Sequence, residues 1–140
     1  MTLYIYPTRT NEAEKRLLRI IELFIPEKEL KFYRNIDDFS KQLRQPAFNP
    51  RIAVLLVSSE SELQDIITMQ ELLEDTKIIL IVPDTNPDTL ARGHTLRPRL
   101  LCDCNSDFVD VAAVLCHMLR KLGQNRQRLL NRAEHEKQKY

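Results

Sequence analysis

The chain has 140 residues, with 21 Lys and Arg against 20 Asp and Glu for a formal charge of +1, so one domain is expected and no global field draws it to nucleic acid or to an anionic membrane. Apolar residues make up 43% and charged residues 29%, which is globular rather than disordered composition. The longest apolar runs, Ile78 to Pro83 and Ile52 to Val57, fall far short of the roughly 20 residues that span a bilayer, and no transmembrane helix is expected.

Strand-like and helical patterns alternate along the chain, the signature of parallel βαβ units. Leu3 to Tyr6 forms the first strand, rich in aromatic and β-branched residues and stopped by Pro7. Asn11 caps a first helix carrying Leu17, Leu18, Ile21, Phe24 and Ile25 at helical spacing and ended by Pro26. A short, more polar strand follows at Leu30 to Tyr33, then a second helix marked by Ile36, Phe39 and Leu43 and ending before Pro46.

Ile52 to Val57 and Ile78 to Val82 are continuously apolar rather than alternating, which strands covered on both faces require, so these are the central strands. Between them Ser59 or Ser61 caps a third helix with Leu63, Ile66, Ile67, Met69 and Leu73 on its apolar side. A fourth helix spans Pro87 to Leu96 with Asn86 as cap, Pro87 in the first turn and Gly93 near the middle. Leu100 to Cys102 is a brief fifth strand. Ser106 then caps a last helix, with Asp107 and Asp110 at its positive end and Phe108, Val111, Ala112, Leu115, Met118, Leu119 and Leu122 along one side. Residues 124–140 are polar and read as a helical extension of a domain spanning residues 1–123; a helix running unbroken from Asp107 to Tyr140 would be about 50 Å long.

Five β/α units in this order resemble the receiver domain of response regulators, of the small chemotaxis-regulator type. The resemblance implies a flavodoxin-like (βα)5 three-layer sandwich with a parallel sheet in the order 2-1-3-4-5 and an extended C-terminal helix. Receivers hold Mg²⁺ on an acidic pair after the first strand and accept a phosphoryl group on an aspartate after the third, because that ion requires oxygen ligands. Here Tyr6-Pro7-Thr8 stands in place of the pair and Val57-Ser58-Ser59 in place of the aspartate, so Val57 or Ser58 occupies the phosphoacceptor position. Val82 and Pro83 replace the hydroxyl residue after strand four, and Asp103 and Cys104 stand where the lysine after strand five is expected. The resemblance therefore implies a bacterial pseudo-receiver: not an enzyme, with no cofactor and no metal, binding a partner protein or a second copy of itself through the fourth helix, fifth strand and fifth helix. Leu90, His94, Arg97, Arg99, Val111, Met118, Arg120 and Lys121 are the expected contact residues.

Other constellations compete with that reading. Thr8, Arg9, Ser58, Ser59 and Pro83 would line a small-ligand or nucleotide crevice at the carboxyl ends of strands one and three. That loop has no glycine to close on a phosphate and no adjacent histidine, and helix capping accounts for the serines. Cys102, Cys104 and Cys116 with His117 offer soft ligands, but the spacing fits a zinc site poorly, and small core residues are the simpler account. Cys104 just before the last helix leaves a redox role open. An odd cysteine count without a disulfide framework points to a reducing, cytoplasmic compartment.

Overall fold

The computed structural model describes residues 2–8, 11–46 and 51–121. In chain order they form β1 (Leu3–Tyr6), α1 (Glu12–Ile21), β2 (Leu30–Phe32), α2 (Ile36–Arg44), β3 (Arg51–Leu56), α3 (Glu60–Thr68), β4 (Thr76–Val82), α4 (Pro87–His94) and β5 (Leu100–Asp103). A final helix, α5, covers residues 109–121. The extension expected at 124–140, and the end of the domain at Gly123, lie outside the described residues.

The five strands are all parallel and lie in the order β2-β1-β3-β4-β5. This is the flavodoxin-like layout that the resemblance implied, built from the parallel units expected from the alternation. Successive strand residues point to opposite faces, and the core is accordingly double. On one face Leu3, Ile5, Ile52, Val54, Ile79 and Ile81 pack against Leu17 and Ile21 of α1 and Val111, Leu115 and Met118 of α5. On the other, Tyr4, Tyr6, Ala53, Leu55, Ile78, Leu80 and Val82 meet Phe39 and Leu43 of α2, Leu63 and Ile66 of α3, and Leu96 beyond α4. Every residue of β3 is buried, which is why its sequence shows no alternation.

Side chains cap three helices, α1 and α3 as expected and α2 without its cap having been anticipated. Asn11 Oδ1 accepts the Glu14 amide at 2.9 Å and Asn35 Oδ1 that of Asp38 at 2.9 Å. Of the two serines considered for α3, Ser59 is the cap, its Oγ accepting the Glu62 amide at 3.2 Å. Asn86 holds the cap position of α4, but its side chain makes no capping bond.

Elsewhere the structure corrects the sequence reading. Helix α1 stops at Ile21, five residues before Pro26. The amides of Leu23 and Phe24 reach back only to Ile20 and Ile21, tightening the chain into a turn. Ile25 thereby enters the core, while Phe24, assigned to the apolar stripe, is 42% exposed. Helix α4 ends at His94, and Leu96 is buried from the turn that follows. At α5 the cap position belongs to Phe108, whose backbone is left-handed (φ 63). Ser106 Oγ accepts the Phe108 amide at 3.1 Å and Asp107 Oδ1 that of Val109 at 3.1 Å.

Candidate functional site

Parallel strands give the sheet two unlike poles, and candidate residues occur at both. At the carboxyl pole β1 runs through a cis Tyr6–Pro7 peptide into Thr8, whose amide donates to Tyr33 O at 2.8 Å. Thr8 Oγ1 donates to Glu14 Oε1 at 2.7 Å, and Glu14 is only 4% exposed. From the next turn of α1, Arg16 Nη2 donates to Cys104 O at 2.6 Å, and its guanidinium lies 5.3 Å from the centre of the buried Phe108 ring, within cation–π range.

After β3, Val57 is buried while Ser58 is exposed. The Ser58 amide and hydroxyl both donate to the Glu62 carboxylate at 3.1 Å. Pro83 O accepts a long contact from Cys104 Sγ at 3.4 Å. Thr8, Ser58, Ser59 and Pro83 thus stand at one pole, each engaged locally; Arg9 lies outside the described residues. The carboxylates reaching this pole from the helices, Glu14 and Glu62, went unremarked in the sequence. Glu14 was detectable: it lies three residues before Leu17 and seven before Ile21, on the buried stripe of α1 where an acid is out of place.

The expected contact face is only partly a surface. His94, Arg97, Arg99, Arg120 and Lys121 are exposed. Leu90 is half-buried against the second core cluster. Val111 is fully buried and Met118 is 4% exposed, because the residues of α5 with helical spacing to Leu115 face the sheet; these two belong to the core rather than to a contact surface. Below the amino ends of β4 and β5, Lys77, Arg99, Ala113, Val114, His117, Met118 and Lys121 line a concavity of about 310 Å³. A neighbouring concavity of about 720 Å³ shares Lys77 and Arg99 and adds Glu74, Asp75 and Arg97.

The three cysteines are half-buried and free. Burial pushes the Cys102 thiol up to about 11, with Asp103 and Asp110 adding to the effect. Among the described residues no three His, Cys, Asp or Glu side chains gather as a metal site would need.

No helix among the described residues is long and apolar enough to cross a membrane. Compared with models of known families, with curated proteins and with solved structures, the chain matches none.

Proposed function

We propose that this protein is a non-catalytic pseudo-receiver, a cytoplasmic signalling or scaffolding module that binds a partner protein or a second copy of itself without aspartyl phosphorylation. The observation that carries this reading is the occupancy of the carboxyl pole. The strand ends where a Mg²⁺-assisted phosphoryl switch needs carboxylates bear Pro7 and Thr8 after β1 and Val57 and Ser58 after β3. Glu14 and Glu62 come instead from helices and accept hydrogen bonds from Thr8 and Ser58. Arg16 braces β5's exit through Cys104 and Phe108, which favours a fixed pole over a moving one.

His94, Arg97, Arg99, Arg120 and Lys121 remain as the contact surface once Val111 and Met118 are assigned to the core. A cationic rim of this kind fits an acidic partner surface. Light scattering after size exclusion of the full chain, with and without Mg²⁺ and acetyl phosphate, tests the reading. The molar mass is expected to ignore the phosphodonor; a phosphodonor-dependent change in mass would overturn it.

A further inference from the structure

The concavity under α5 adds Lys77 and an apolar wall to Arg99 and Lys121 of the contact surface, an arrangement that the partner-binding reading does not require. Along β4, Ile79 and Ile81 face α1 and α5, so alternation puts Lys77 on that same face. It is a half-buried lysine one step from the core, in a strand otherwise nearly all aliphatic. The Arg99 amide donates to Ile78 O at 2.7 Å, which sets Arg99 beside the start of β4. On α5, residues 113, 114, 117, 118 and 121 share one helical face and bring His117 and Lys121 to the same concavity.

Three cations, from β4, from the turn before β5 and from α5, therefore line one space of about 310 Å³ with no carboxylate in its wall. None of Lys77, Arg99 and Lys121 forms a salt bridge among the described residues. Like charges held close together repel; the acids Glu74 and Asp75 line the neighbouring concavity that shares Lys77 and Arg99, not this one. Ala113, Val114 and Met118 supply an apolar floor beside the charges. The volume is at the lower end for small-molecule sites and too small for a protein segment of any length.

We infer that this concavity binds a small phosphorylated molecule, its phosphates held by Lys77, Arg99 and Lys121 and its apolar or aromatic portion seated on Ala113, Val114 and Met118. His117 offers a further hydrogen bond. The site lies at the amino pole, opposite Thr8 and Ser58; it shares Arg99 and Lys121 with the proposed contact surface, but its occupant is a small phosphorylated molecule whether or not a partner protein binds there.

Amide and methyl NMR titrations of the full chain with inorganic pyrophosphate, with ADP and with a Glu-rich peptide test it. Both phosphate probes should shift Lys77, Arg99 and Lys121, with ADP also moving the Val114 and Met118 methyls and binding several-fold tighter. Arg99→Glu/Lys121→Glu, which alters two exposed residues, should weaken ADP at least tenfold. Lys31→Glu/Lys41→Glu makes the same charge change on exposed positions of β2 and α2, and should weaken it less than threefold. Equal loss in both variants, shifts mapping elsewhere, no shift at millimolar ADP, or tighter binding of the peptide would each overturn the inference.

Discussion

Phe108 concentrates opposing effects in one residue. Its left-handed backbone (φ 63) costs a non-glycine residue on the order of 1–3 kcal/mol. That is offset by a fully buried ring packed under Arg16. Phe108→Ala should lose about 3–5 kcal/mol, and Phe108→Gly about 1 kcal/mol less, because glycine adopts this conformation without strain. Urea unfolding of both variants measures the difference, and an equal loss would mean that the backbone there is unstrained. Cys102 gives a pH dependence. Its thiol ionises at 9.0 when unfolded and at about 11 when folded, so its contribution is fully present below pH 9 and is lost as the pH rises towards 11. Cys102→Ala should reduce the fall in melting temperature between about pH 8 and about pH 10.5; an unchanged slope would rule the thiol out as a source.

Helices here begin on side-chain caps and end where packing directs the chain. Replacing Asn11, Asn35 or Ser59 by Ala removes an acceptor from the first turn and should cost about 0.5–2 kcal/mol each. Asn86→Ala, with no capping bond to lose, should cost less than any of the three. Helix α4 approaches the sheet through Gly93, where an added Cβ would stand 2.7 Å from Leu101 Cδ1 and 3.0 Å from Leu80 Cδ2. Gly93→Val should therefore overpack the contact by about 1–3 kcal/mol. Calorimetric melting temperatures compare all five variants. Pro26 illustrates the limit of reading stop signals. It bars a helix from continuing, but α1 had already ended at Ile21 because Ile25 is worth more in the core than in another helical turn.

For the whole molecule, β1, β3 and β4 are paired on both sides and buried on both faces, so their amides should be the last to exchange with solvent. Those of the edge strands β2 and β5 should exchange earlier by orders of magnitude; uniform protection across the sheet would contradict this view of its stability. The sequence by itself determined the five β/α units, the two central strands and the parallel sheet, since continuous apolar runs and helical spacing are local patterns that only a doubly covered sheet satisfies. It also determined that Pro, Val and Ser stand where acids would be needed. Only the tertiary structure decided which side of each helix is surface. Val111 and Met118 read equally well as contact or core until α5 is laid on the sheet. The same holds for Arg16 meeting Cys104 across 88 residues and for Lys77, Arg99 and Lys121 lining one concavity. Such groups are adjacent only because the strands stack side by side, and no local periodicity records a proximity that chain crossovers create.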